Sequence, residues 1–401
     1  MEGKDIVVFG GVDWFNPSKL PIHHLVEKLS KKNRVFYIDN FGTIRDLKTS
    51  DFSRVISKLV SILPFKNKPQ LKTKSSLNSS LHVVQPMLFP SPRLPSFIGS
   101  FNSFLLKRCL KGLKNQYDIQ NPIVWTRVPT KVVWQSINVL NPQVLLYQSV
   151  DKFPESPMIP ASLKDRFRES EYQFNCYADL VFCSAKGLYN EKKQFNKNTL
   201  FFPNGVDTDK FIQGATQRFG KKGQKQSIIF VGNIGPWVDI SLLAFVSDAL
   251  AEVEIKLIGP VDPSYDISVL HKKENIRLLG RVAHDDLPGL FAEADVGLIP
   301  YKLSDFTNYT FPSKMAEYLA SGMPLVTTNL PEVNGFSEMV MVSDSKEDFV
   351  RNIQSALIIS NKKSTINQCM SDALKLSWDE ILHDMETEIE RVLDAKACVE
   401  Q

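Results

Sequence analysis

The sequence predicts an α/β protein of two doubly wound domains facing each other across a cleft. Two sets of short apolar runs alternate with helical patterns, and a turn followed by a polar stretch separates the sets. Runs of this kind suit strands buried on both faces, and their alternation with helices argues for parallel sheets. A chain of 401 residues, 43% hydrophobic, has enough apolar side chain for two cores.

In the first set the strand-like runs are residues 6–9, 35–38, 83–85, 123–126, 144–148, 180–184 and 200–202. Residues 19–30, 97–113, 131–140 and 163–178 between them read as helices. Pro203-Asn204-Gly205 is a turn, and the polar residues 213–226 follow it. The pattern restarts at Ser227, with runs at 228–231, 254–258, 276–279, 296–299, 325–328 and 340–342. Ser377-Trp378-Asp379 opens a last helix with acidic residues in its first turn. The expected division is a first Rossmann-like domain (1–204), a linker (205–226), a second Rossmann-like domain (227–376) and a terminal helix (377–401) that can return to the first domain. Ligands of such sheets bind at the carboxyl ends of the strands, so the cleft is the expected site.

The net charge of +4 hides an asymmetry. Residues 1–204 carry 29 Lys+Arg against 15 Asp+Glu, and the remainder 19 against 29. The basic half includes a run from Lys48 to Lys74 in which Phe52, Ile56, Leu59, Ile62, Leu63 and Phe65 stand among the charges. Such a run suits an anionic membrane surface; the plain alternative is a solvated loop beside an ordinary helix. No nucleic-acid-binding motif accompanies the charge, so nucleic acid is not an expected partner. Residues 1–5 lead directly into the first strand, and no stretch reaches the ~20 apolar residues of a spanning helix. Five scattered cysteines have no metal-ligand spacing and suit a reducing cytosol. The expected location is cytoplasmic, peripheral on the inner face of the plasma membrane.

The densest chemistry lies between Asn275 and Asn329. A helix opens there at Pro312-Ser313-Lys314, with Glu317 one turn on. Free N–H groups and the helix dipole favour an anion at that end, and Lys314 adds a cation. Glu317 shares the helix face and suits a sugar diol. One helix end can thus take both the diphosphate and the ribose of a nucleotide-sugar. The plain readings are a surface lysine and a solvated carboxylate. Arg281, after the turn glycine Gly280, suits base stacking or a fork to phosphate. Gly232 and Gly235 flank a strand end, either for close backbone approach to a ligand or for a turn at positive φ. Gly10 and Gly11 do the same in the first half, leading to Asp13 and Trp14. Asp151 ends an apolar strand and suits a general base or a cap; His23 and His24 are rival bases. Asp207-Thr208-Asp209 invites a metal reading, which its place just after a turn at the domain junction argues against.

The segments "FFPNGVDTDKF", "IIFVGNIG", "IKLIGP", "NIRLLGRVAHDDLPGLFAEADVGLIPY" and "FPSKMAEYLASGMPLVTT" together resemble the family 4-like group of GT-B glycosyltransferases, in order and spacing, across 201–330. "DIVVFGGVDWFNPSKLPIHHLVEKLSKKNRVFYID" is similar, more loosely, to the entry of the wall-polysaccharide branch of teichuronic-acid-type transferases. The resemblance implies a donor site in the second domain (Gly232, Asn233, Gly235, Arg281, Ser313, Lys314, Glu317) and an acceptor side in the first (Gly11, Asp13, His24). It also implies that the 207–209 segment is structural and that no metal or other cofactor is needed beyond the nucleotide-sugar co-substrate. The expected reaction moves a sugar from a UDP- or GDP-linked donor, UDP favoured, to a polysaccharide or lipid-linked acceptor, with Asp151 and Lys314 as the catalytic residues. Rival readings are a nucleotide-sugar epimerase of the same fold, a non-catalytic nucleotide-sugar-binding protein and a membrane-tethered assembly factor.

The sequence departs from the family at three places. Retaining members carry Glu-x7-Glu; here Glu317 stands at the second position and Tyr309 at the first. The family's arginine after the "FVG" strand is Asn233, and Gly235-Pro236-Trp237 occupies the region of its lysine. Lys314, Arg281 and the helix end must then supply the positive potential, and the stereochemical course is left open.

Overall fold

A computed structural model of the protein describes residues 1–15, 19–39, 79–89, 96–215 and 225–399. The basic and apolar run from Lys48 to Lys74 lies outside the described residues. The first sheet has seven parallel strands: β1 (Asp5–Phe9), β2 (Arg34–Ile38), β3 (Leu81–Val84), β4 (Ile123–Thr126), β5 (Val144–Ser149), β6 (Leu180–Cys183) and β7 (Thr199–Phe201), in the order β3-β2-β1-β4-β5-β6-β7. The second has six: β8 (Ser227–Val231), β9 (Glu254–Ile258), β10 (Ile276–Gly280), β11 (Val296–Ile299), β12 (Leu325–Thr328) and β13 (Val340–Ser343), in the order β10-β9-β8-β11-β12-β13. In both sheets the order reverses beside the first strand, which places a crevice at its carboxyl end.

Each central strand is buried on both faces, and so reads as a continuous apolar run instead of an alternating one. Ile6, Val7, Val8 and Phe9 of β1 are all fully buried. Val7 and Phe9 pack on one side with Leu106, Leu110 and Phe174 of the covering helices. Ile6 and Val8 pack on the other with Ile22, Leu25 and the terminal helix. Full burial of such side chains contributes roughly 1.5–3 kcal/mol each before entropy is charged against it.

The terminal helix, Trp378–Val399, returns to the first domain. Trp378, Ile381, Leu382, Met385, Ile389 and Val392 make one stripe at helical spacing, buried against the back of the first sheet. Its ends are fixed by charge: Lys28 Nζ lies 2.7 Å from Asp379, and Lys396 Nζ 2.6 Å from Asp179. The chain crosses between domains twice at one place, where Val206 N–H donates to Leu376 O and Trp378 N–H donates to Val206 O.

The expected linker is shorter than its polarity suggests. Thr208–Ala215 is a helix whose Phe211 and Ala215, four residues apart, are buried, with Phe211 in the second domain's core. The remaining linker residues 216–224 lie outside the described residues. In the first domain, Lys186–Lys192 is a helix that the apolar pattern did not single out.

Candidate active site

The helix Ser313–Ala320 carries the centre of the site. Pro312 is its cap residue, with extended backbone, and Ser313 is its first helical residue. Met315, Ala316, Leu319 and Ala320 are fully buried, and Tyr318 accepts the Val231 backbone N–H at 2.8 Å. Gly297 of β11 allows this close seat: a Cβ there would meet the Tyr318 ring at 2.5 Å. The buried face therefore sets the direction of the polar one, which opens into a cavity of about 350 Å3 between the two domains.

Ser313, Lys314 and Glu317 line that cavity from the second domain, and Lys19, His24 and Asp151 face them from the first. Gly232, Asn233 and Arg281 contribute the ends of the second sheet. The floor is tight. Gly259 has φ +138°, and a Cβ on it would lie 1.9 Å from Gly232 O, so only glycine lets these two strand ends meet.

Glu317 is the most strongly constrained charge. It is buried, with Lys314 Nζ at 2.7 and 2.8 Å from its two carboxylate oxygens and His284 Nε2 at 3.4 Å. Burial alone raises its pKa, but the Lys314 ammonium and His284 outweigh this and hold the carboxyl down at about 2. His284 is itself buried and meets Lys210 Nζ through Nδ1 at 3.2 Å; Lys210 also donates to Asp285.

Asp151 lies across the cavity, two residues beyond β5. Thr310 Oγ1 of the second domain donates to it at 3.2 Å, so this bond crosses the cleft. Burial raises its pKa to about 6, against the opposing pull of the nearby Arg127 guanidinium and the Thr310 bond. Arg127 follows β4, and its Nε is buried without a hydrogen-bond partner among the described residues.

His24 shares the cavity, its ring 5.3 Å from that of His284 and 6.4 Å from that of Trp378. Burial and the neighbouring His284 lower its pKa to about 3. His23 is turned away. Its Nδ1 accepts the Leu20 N–H at 3.1 Å, capping its own helix Pro21–Leu29, and its ring packs edge-on to Trp14 at 5.1 Å. Burial lowers the His23 pKa to about 4.

Three expected site residues fall outside the cavity lining. Gly235 is buried under Trp237, where a Cβ would meet the indole at 2.9 Å. Gly11 turns the chain at φ +71° against Val128, and Asp13 is exposed and accepts the Phe15 N–H at 2.9 Å. Neither Gly232 nor Gly235 adopts positive φ. Asp207 does line the cavity, whereas Asp209 sits in the first turn of the helix Thr208–Ala215.

The departure at position 309 has a structural reason. Lys152 Nζ lies 4.1 Å over the Tyr309 ring, and Gly187 leaves room for that ring, since a Cβ there would touch it at 2.8 Å. Tyr309 thus docks the second domain on the first. His284, Thr310, Arg127 and Trp378 were not singled out from sequence. His284 stands three residues after Arg281 in the same loop, which was the available signal; the others meet the site only through tertiary contacts.

Two facing parallel-sheet α/β domains with a cleft at their strand ends define a GT-B protein. Residues 225–358, most of the second domain, match the family described as glycosyl transferases group 1. A segment of 166 residues is 28% identical to the putative teichuronic acid biosynthesis glycosyltransferase TuaH of Bacillus subtilis (strain 168), covering 39% of this chain and 42% of that protein. The match therefore spans under half of that relative. Similar solved structures include sucrose-phosphate synthase from Thermosynechococcus elongatus, at TM-score 0.72 and 14% identity over 98% of this chain and all of the other. Anabaena Alr3699/HepE in complex with UDP and glucose gives 0.65 and 13% over 97% of this chain and all of the other. WaaG, a glycosyltransferase involved in lipopolysaccharide biosynthesis, gives 0.61 and 10% over 95% of this chain and 98% of the other.

Proposed function

We propose that the protein transfers a sugar from a nucleoside-diphosphate sugar, UDP-linked in preference to GDP-linked, to a glycan or lipid-linked acceptor in cell-surface polysaccharide synthesis. The observation that carries this reading is the start of the helix Ser313–Ala320, which opens into the interdomain cavity with Lys314 and Glu317 opposite Asp151. The preference for UDP draws on the HepE complexes with UDP and UDP-glucose, and the surface-glycan acceptor on the name of the Bacillus relative.

In this reading the free N–H groups at Ser313 and Lys314 hold the diphosphate. The Lys314 ammonium leaves its pair with Glu317 to neutralise the charge that grows as the sugar–phosphate bond breaks. Glu317, released and still ionised, accepts the ribose hydroxyls, with His284 keeping its orientation. Asp151 takes the proton of the attacking hydroxyl as the new glycosidic bond forms. Its pKa near 6 suits a base at neutral pH better than that of His24, near 3. These cations and dipoles offset the leaving-group charge without a divalent metal, so activity should survive EDTA.

The experiment is a comparison of wild type with Lys314→Ala for the nucleotide-sugar donor. A loss of more than tenfold in kcat/KM, about 1.4 kcal/mol, is expected; a wild-type value removes Lys314 from the site. Product formation from donor alone would instead identify an epimerase.

A further inference from the structure

A second cavity, larger than the cleft, lies apart from it. It measures about 690 Å3 and lies in the first domain among the helices Ser96–Tyr117, Lys131–Ile137 and Ala161–Tyr177. Its size falls within the ~300–1,000 Å3 usual for ligand sites. It lies at the same sheet edge as the active site. Thr130 to Gln135 follow β4, whose end carries Arg127, and Leu163 to Gln173 lie on the helix that follows β5 and Asp151.

Its lining has the chemistry of a site for hydroxyl-rich rings. Trp134 and Phe167 supply aromatic faces, each half-buried. Trp134 is braced by Phe174 at 5.0 Å and Phe167 by Phe153 at 5.1 Å, so both are held by rings behind them. Between them stand amides and charges. Gln135 accepts the Ser103 hydroxyl at 2.8 Å, which fixes its carbonyl and leaves its NH2 to a ligand. Among the described residues, Gln173, Lys131, Arg166 and Glu169 make no side-chain hydrogen bond or ion pair. Sugar hydroxyls and ring C–H faces suit a lining that joins half-buried aromatic faces to exposed charges and amides. Two free cations against one carboxylate favour a glycan carrying acidic groups.

We infer that this groove is a second carbohydrate subsite, which holds the acceptor glycan away from its reacting end. The inference rests on the transferase reading above, in which a cleft of about 350 Å3 already receives the nucleotide-sugar. A polymeric acceptor must then continue outside it along the first domain.

The test is saturation-transfer NMR on the full chain, without nucleotide, using an oligogalacturonate hexamer and neutral maltohexaose. Expected are binding of both, tighter for the acidic hexamer, and at least fivefold weaker binding of that hexamer to Arg166→Ala and of both to Gln173→Ala. Trp134→Ala should abolish binding; because Trp134 also packs on Phe174, the two surface variants decide the matter if it fails to fold. Absence of binding by either hexamer, equal affinity in every variant, or capture of dodecyl maltoside through its alkyl chain alone overturns the groove. A parallel titration with UDP separates the two claims. Hexamer binding without UDP binding keeps the groove as a carbohydrate site but removes the cleft reading and the acceptor role with it; the reverse result removes only the groove.

Discussion

Asp151 and Glu317 are two carboxylates whose surroundings push them in opposite directions. Glu317 is held near 2 by Lys314 and His284, and Asp151 is lifted to about 6 by burial. In the proposed mechanism the base must be ionised, so kcat/KM should fall as pH drops through about 6. Arg127 opposes that rise, so Arg127→Gln should move the acid limb of the profile to higher pH. A limb that stays in place would show that Asp151 does not govern it. Glu317 acts on folding, and in a more acidic window. With its pKa depressed below the ordinary value of 4.5, it stabilises the fold above that value and loses the effect as pH falls towards 2. Acid unfolding of Glu317→Gln should therefore be less steep in that window than that of wild type. The sequence made Lys314, Glu317 and Asp151 legible because each follows a strong local signal, a helix start or a strand end. Arg127 and Thr310 carried none, since their meaning arises only when β4 and the second domain converge on Asp151.

At the scale of elements, the helix Ser313–Ala320 is aimed by its buried face. Gly297→Ala should push the Tyr318 ring, disturb its bond with the Val231 N–H, and destabilise the protein by about 1–3 kcal/mol. At roughly 2–4 °C per kcal/mol this is several degrees in Tm; an unchanged Tm would mean that the helix shifts freely on its sheet. Strands were easily read because burial on both faces gives unbroken apolar runs. The helix Thr208–Ala215 is hard to read in sequence because its buried face, Thr208, Phe211, Gly214 and Ala215, holds only one large apolar side chain and runs into the polar stretch beginning at Gln213. Gly235 carries a related ambiguity. A glycine that admits an indole and one that admits a ligand look alike until Trp237 is seen over it.

For the whole molecule, the two domains are held by a few polar contacts. Glu332 of the second domain is buried and accepts the backbone N–H groups of Lys186 and Gly187 at 2.6 and 2.8 Å, capping the helix Lys186–Lys192 of the first. Tyr309 on Lys152 and Thr310 on Asp151 lie beside this cap. Glu332→Ala should leave those N–H groups unpaired and shift the molecule towards an open form, seen as a larger radius of gyration in solution scattering. An unchanged radius would place the hinge restraint elsewhere, in the Val206–Trp378 crossing. The two-domain plan was legible from the repeated strand pattern, but the closed cleft was not, because its contacts join residues more than 100 positions apart. The helix start at Ser313 is the centre of the proposed site, and a crystal soaked with UDP tests it most directly. The diphosphate should lie against the N–H groups of Ser313 and Lys314, with Lys314 swung off Glu317 and Glu317 turned to the ribose. A nucleotide bound elsewhere, with the Lys314–Glu317 pair intact, would contradict it.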